Sequence, residues 1–263
     1  MLIIFNKFMP ILTLTTDFGS KSFDVAALKG SLMSSCIDLN IIDISHEIEI
    51  FDKVGAAYAL KNAAANFPAN TIHFTNINLK EGNNRIIIIK RGTQYYVCPD
   101  NGMANLMFPN EDFKAYVVQG LEKNFSYKET HEKLCEIVKF AENNSDITVF
   151  GIETTSYLRV PSVRAAVNED LIRATVIYID RYNNAVVNVD KETFYNFIGN
   201  KAFIISTRGN RAHKINKHYS EVEPGEIVCI FNEANLLEIA IRNGKATQLL
   251  GLEYGRVVLI ETA

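Results

Sequence analysis

Thr15-Thr16-Asp17-Phe18-Gly19 closes an apolar run that begins at Ile11, so one carboxylate is presented where a buried strand ends. In open α/β sheets small ligands bind at the carboxyl ends of the strands. An aspartate placed there can accept two hydrogen bonds from a vicinal diol such as a ribose. The plainer use of Asp17 is to cap the next helix, because Asp-Phe-Gly is also ordinary turn chemistry. A second polar concentration, Asn76, Asn78, Glu81, Asn83, Asn84 and Arg85, follows another strand-like run, opposite Asp17 in a simple β-α-β arrangement. Two histidines could handle a proton. His46, in Asp43-Ile44-Ser45-His46-Glu47-Ile48, either closes a strand end through hydrogen bonds or takes part in catalysis. His131, beside Glu132 and Lys133, is either a solvated residue at a helix start or a base. Phe51 reads as core or as a stacking platform for an aromatic ligand, and Asp52 beside it as an N-cap. In the second half, Asp180-Arg181-Tyr182-Asn183-Asn184 reads as a hairpin turn.

Several chemistries are excluded. The chain has no P-loop, no G-x-G-x-x-G after the first strand, no G-x-S-x-G and no zinc motif. A nucleoside would therefore bind without a phosphate cradle. A net charge of -3 leaves no electrostatic footprint for nucleic acid or an anionic membrane. Cys36, Cys98, Cys135 and Cys229 are widely spaced, with no metal-ligand pattern; three of them sit in apolar surroundings and read as small buried side chains, and reduced thiols fit a cytoplasmic protein. The Met1-to-Met9 segment is too short to span a membrane and lacks a signal-peptide cleavage site; either Met1 or Met9 could be the start.

The elements that must position these residues fall into two halves. Strand patterns at Ile11–Thr15, Leu39–Ile44 and Thr71–Ile77 alternate with helical patterns at Phe23–Met33 and Lys53–Asn66, which predicts a mainly parallel, doubly covered sheet. A hairpin around Arg91-Gly92-Thr93 follows, and Lys128 to Asn143 is the last clear helix. Ile147 to Gly151 is a further strand or a surface connection. A polar stretch before Asp170 reads as a linker, and the short β-rich runs after it predict an antiparallel barrel or sandwich. The expected organisation is an α/β nucleoside-binding domain over residues 1–165 and an all-β C-terminal barrel over residues 170–263.

Motifs in this order resemble the S-adenosylmethionine hydroxide adenosyltransferases, which share a fold with the fluorinase and chlorinase. The resemblance is carried by Thr15–Gly19, Lys29-Gly30, Asp43–Ile48, Phe51-Asp52, Phe67-Pro68 and Pro99-Asp100-Asn101-Gly102. It continues through Ile179–Asn188, Tyr219–Glu226, Leu237-Glu238-Ile239-Ala240 and Asn243-Gly244-Lys245-Ala246. It implies hydrolysis of S-adenosyl-L-methionine to adenosine and methionine by water attacking the ribose 5'-carbon, with no cofactor. It also implies a homotrimer with sites between subunits. Asp17 would hold the ribose diol and Phe51 would flank the ligand. Asp180 and Asn184 would hold the amino-acid part, while Tyr219 and the backbone near Asn243 would enclose the adenine.

The family's water-activating Asp, Arg and His fall on Asn78, Arg85 and His131, so the acid is an amide here. An amide accepts a hydrogen bond from water but cannot take its proton. Two carboxylates occur in the same segments, Glu81 and Glu132, and either could restore the missing charge. If neither does, the expectation is a catalytically impaired protein that still binds S-adenosylmethionine or adenosine. Halide transfer is disfavoured, because a carboxylate beside a halide pocket would repel the anion.

Overall fold

The computed structural model describes residues 9–110, 112–121, 124–142, 146–161 and 163–262. Most of the Met1-to-Met9 segment and the expected helix end at Asn143 lie outside them. Backbone contacts divide the chain into two units, Met1–Ser162 and Val163–Ala263. Among the described residues no helix is long and apolar enough to cross a membrane.

The first unit runs β1 (Ile11–Thr16), α1 (Asp24–Ser35), β2 (Asn40–Ser45), α2 (Lys53–Ala64), β3 (Ile72–Asn76), β4 (Ile86–Arg91) and β5 (Gln94–Pro99). It continues with α3 (Met103–Met107), β6 (Lys114–Val118), α4 (Tyr127–Ala141), a 3-10 turn at Ile147–Phe150 and β7 (Gly151–Thr154). The sheet order is β2-β1-β3-β5-β4-β6-β7. The pairs β1–β2, β1–β3 and β3–β5 are parallel, whereas β4 pairs antiparallel with β5 and β6. Strand alternation sorts the core into two layers. Ile72, Phe74, Ile86 and Ile88 pack with Leu28 and Leu32 of α1 and Leu134 and Val138 of α4. Ile77, Ile87 and Ile89 pack with Ala56, Ala57 and Leu60 of α2 and Met103 of α3. The chain leaves β1 for β2 on one side and returns to β3 on the other, so a topological switch point opens between the carboxyl ends of β1 and β3. Asp17 and the 77–85 loop follow those two strands directly.

Two helix starts are chemically specified. Asp52 Oδ1 accepts from the Val54 and Gly55 amides at 3.1 and 2.9 Å and so caps α2. Ser126 and Glu129 form a reciprocal capping box on α4, which fixes His131 one turn into that helix.

His73, in the middle of β3, is fully buried. Its Nδ1 lies 2.8 Å from Thr13 Oγ1, its ring stacks on Tyr96, and Nε2 has no partner among the described residues. A charge there would be desolvated, and burial lowers its pKa from 6.5 to about 4. The unfolded chain therefore binds the extra proton first as pH falls. The His73 contribution is complete above pH 6.5 and is lost between 6.5 and about 4, by on the order of 3 kcal/mol in total. Urea unfolding from pH 7.5 to 4.5 should show this acid loss in the natural protein and a reduced one in His73→Phe. Equal slopes would contradict it.

The second unit comprises β8 (Ala166–Val167), β9 (Leu171–Ile179), β10 (Ala185–Asp190), α5 (Lys191–Ile198), β11 (Phe203–Thr207) and β12 (Asn210–Ala212). These are followed by β13 (Ile227–Phe231), β14 (Leu236–Ile241), α6 (Ala246–Leu249) and β15 (Val257–Thr262), with a 3-10 turn at Tyr219–Glu221. The antiparallel order β12-β11-β15-β9-β10-β14-β13 brings its two end strands near each other, giving a nearly closed barrel. The β-rich pattern predicts no helix after α4, yet α5 is present. Asp190 caps it through the Thr193 amide, and Phe194 and Ile198 bury one side. Two turns are too short for a helical period to stand out from flanking strands. The polar stretch before Asp170 also contains structure, since β8 pairs with β9.

Candidate active site

Asp17 does not cap α1, which begins after Phe23 with no side-chain cap. Its Oδ2 instead accepts from the Phe51 amide at 3.1 Å. Phe51 has φ +66° and is 63% exposed, a conformation disfavoured for a bulky side chain. It is therefore neither core nor relaxed, and Asp17 helps to hold it there. His46 closes the β2 end: its Nδ1 lies 2.7 Å from Thr16 Oγ1, its Nε2 3.1 Å from Asp43 Oδ1, and its carbonyl accepts from Gly19 N. Burial pushes the Asp43 carboxyl up, but Lys29 and His46 outweigh it and hold the group below the usual range.

The loop after β3 is built around Asn78, which takes the left-handed φ of +47° that asparagine tolerates. Its Nδ2 donates to Glu81 Oε2, and Glu81 Oε1 lies 2.8 Å from Lys53 Nζ. Lys53 also donates to the Asn101 carbonyl at 3.2 Å, and Asn101 Nδ2 donates to the carbonyls of Ile77 and Asn78. Gly82, at φ +85°, lets the loop press on this base: a Cβ there would lie 2.5 Å from the Asp100 carbonyl oxygen. Arg85 Nε donates to Asp100 Oδ2 at 2.7 Å, and its Nη2 donates to the Ser156 carbonyl. Asp100 is 1% exposed and also accepts from Asn83 Nδ2 and Leu158 N. Arg85 is thus tied to a buried carboxylate rather than left as an unpaired cation.

His131 is half-buried, which sets aside the solvated helix start. Its Nε2 is buried without a partner among the described residues, and its ring lies 6.3 Å from Phe18. Burial lowers its pKa below 6.5, and the Asp24 charge offsets this only in part. His131 also lines a groove of about 700 Å³ with residues of α1 and α4, including Asp24, Tyr127 and Glu132; Asp17, Asn78 and Arg85 do not line it. Glu132 is 60% exposed and lies 3.7 Å from Lys128 Nζ. The structure therefore brings Glu81 to Asn78, but among the described residues no hydrogen bond joins either glutamate to His131.

In the second unit the 180–184 hairpin turn supports a polar cluster. Asn184 donates from its backbone N to Asp180 Oδ1 at 2.8 Å and from Nδ2 to Asp180 Oδ2 at 2.9 Å. Asn184 Nδ2 also lies 3.4 Å from the Tyr219 hydroxyl, which donates to Glu238 Oε1. Burial, the Glu238 hydrogen bond and the carboxylate charges push the Tyr219 phenol well above its ordinary range. Asn243 is exposed at φ +54° in the turn before α6, and Thr247 ties that helix to Asn183 at 2.9 Å.

Residues 12–136 match the SAM hydroxide adenosyltransferase N-terminal domain, and residues 174–259 match the SAM hydroxide adenosyltransferase C-terminal domain. The chain belongs to the SAM hydroxide adenosyltransferase family. A relative from Methanocaldococcus jannaschii named (R)-S-adenosyl-L-methionine hydrolase is 29% identical over 260 residues, which is 95% of each chain. A protein of the same name from Thermus thermophilus is 23% identical, covering 92% of this chain and 96% of its own. The crystal structure of an uncharacterized conserved protein from Thermotoga maritima shares the fold with a TM-score of 0.83 at 23% identity, over 95% of this chain and 99% of that one.

Three residues of the candidate site in this SAM hydroxide adenosyltransferase are missing from the candidates drawn from sequence. Lys53 and Asp100 anchor the loop that carries Asn78 and Arg85. Glu238 is buried under Tyr219. A signal for Glu238 was available: a lone acid inside Leu236-Leu237-Glu238-Ile239-Ala240-Ile241 is costly to bury unless partnered. Lys53 carried no such signal.

Proposed function

We propose that this protein hydrolyses S-adenosyl-L-methionine to adenosine and L-methionine. Water attacks the ribose 5'-carbon and the C5'–S bond breaks. The electron pair stays on sulfur as methionine's neutral thioether, and the water's proton passes to His131. The sulfonium is its own leaving group, so the reaction calls on no cofactor. Asp17 accepts from the ribose diol, Phe51 flanks the nucleoside, and Asp180 and Asn184 hold the amino-acid end. Tyr219 and the Asn243 turn enclose the adenine. The carboxylates suit a substrate carrying sulfonium and ammonium charges.

The observation that carries hydrolysis over simple binding is the Glu81 carboxylate seated on the Asn78 amide. It returns a carboxylate to the position where the family's acid is lost. Arg85, held by Asp100 and the Ser156 carbonyl, keeps that loop in register. His131, whose pKa burial lowers and whose Nε2 has no partner among the described residues, suits the role of proton acceptor.

The test is to incubate the protein with S-adenosyl-L-methionine and follow adenosine and methionine by chromatography, with binding of both nucleosides measured in parallel. Release of both products in equal amounts is expected. Tight binding without release would sink hydrolysis and leave a nucleoside-binding protein. We infer a homotrimer with sites between subunits, in the cytoplasm. The trimer is what the motif resemblance implies, and the four buried cysteines, with no disulfide among the described residues, suit a reducing compartment. Sedimentation of the same sample at the mass of one 29.6 kDa chain would contradict the trimer.

A further inference from the structure

Asn76 ends β3, and its side chain is 1% exposed with neither Oδ1 nor Nδ2 partnered among the described residues. Native proteins rarely leave a buried amide without a protein, water or ligand partner. Nothing in packing calls for an amide there. Ile72 and Phe74, four and two residues earlier on the same face, fill the apolar layer under α4, and a third apolar side chain would continue it. The helix that carries His131, α4, packs on that same face. The register partner of Asn76 on β1 is Thr16, the residue before Asp17. The amide therefore sits at the switch point, on the α4 side of the sheet, with its NH2 group and its carbonyl oxygen both unpartnered among the described residues.

We propose that Asn76 is a positioning residue that holds the attacking water of the hydrolysis proposed above, on which this role rests. Water is the occupant that such an amide selects. It is small enough for a site closed to solvent, it accepts from Nδ2, and it donates one proton to Oδ1. A water held in this way keeps its second proton for His131 and a lone pair for the 5'-carbon. As the C5'–O bond forms, the proton leaves to His131 Nε2 and methionine departs with the C5'–S electron pair.

The experiment compares the natural protein with Asn76→Leu, which keeps the branching and removes both polar atoms, and with Asn76→Thr, which returns a hydroxyl. A high-resolution crystal structure of the natural protein accompanies the kinetics. The expected results are an ordered water bonded to the Asn76 amide and a fall in kcat of roughly tenfold to a hundredfold for Asn76→Leu. KM, adenosine binding and melting temperature should be preserved, with partial recovery of kcat in Asn76→Thr. A structural role would instead lower the melting temperature without separating kcat from KM. A dry amide, or an Asn76→Leu kcat within about twofold of the natural value, overturns the role while leaving hydrolysis intact. A natural protein that releases no adenosine overturns the hydrolysis and this role together, whatever the density shows.

Discussion

Glu81→Gln should lower kcat by roughly a hundredfold, whereas Glu132→Gln should leave it within about twofold. The difference follows from where the two carboxylates sit. Glu81 bonds the Asn78 amide and neutralises Lys53. Its loss leaves an uncharged amide in the acid's position and an uncompensated ammonium near a cationic substrate, two changes of the same sign. Glu132 lies 3.7 Å from Lys128 on the exposed side of α4, where solvent screens it. A charge-conserving swap sharpens the test. Asn78→Asp combined with Glu81→Gln moves the carboxylate by one side chain and should recover most of the lost rate. Steady-state kinetics with melting temperatures as a folding control read all three variants. A Glu81→Gln enzyme at full speed would remove the idea that Glu81 compensates for Asn78.

Removal of His131 carries the other large effect. His131→Gln should cost roughly a hundredfold to ten-thousandfold in kcat, the usual worth of a positioned base, while nucleoside binding persists because Asp17 and Phe51 are untouched. The pH dependence has a definite sign. Only the neutral ring can take the proton from water, and burial lowers the His131 pKa below 6.5. Activity should therefore rise with pH through a midpoint below 6.5, be flat above it, and fall away in acid. A kcat profile between pH 4.5 and 8 reads that midpoint. One at or above 6.5 would assign the limb to another group, and one that persists unchanged in His131→Gln would exclude the ring as the base.

The β-α-β-α-β order, the antiparallel second half and the motif series from Thr15 to Ala246 were legible in the sequence, because periodicity and turn chemistry are local. β4 is an apolar run and β3 alternates about Ile72 and Phe74, both bounded by turn residues, and no distant contact was needed to read them. α5 escaped because its two turns lie between strands. His131 could be assigned to a helix but not to solvent or interior, since that depends on how α4 lies on the sheet.

Residue types alone determined the inventory at this site: an aspartate after β1, an amide in place of the family's acid, one histidine on α4, and two glutamates able to compensate. Only the tertiary structure decided among them, seating Glu81 on Asn78, leaving Glu132 with Lys128, tying Arg85 to Asp100 and burying the Asn76 amide without a partner among the described residues. The physical reason is range. A side chain's capacity to donate, accept or ionise belongs to its own atoms, whereas a hydrogen bond needs its partner within about 3 Å and in line. Strands and loops far apart in the chain meet that condition only once the sheet has assembled.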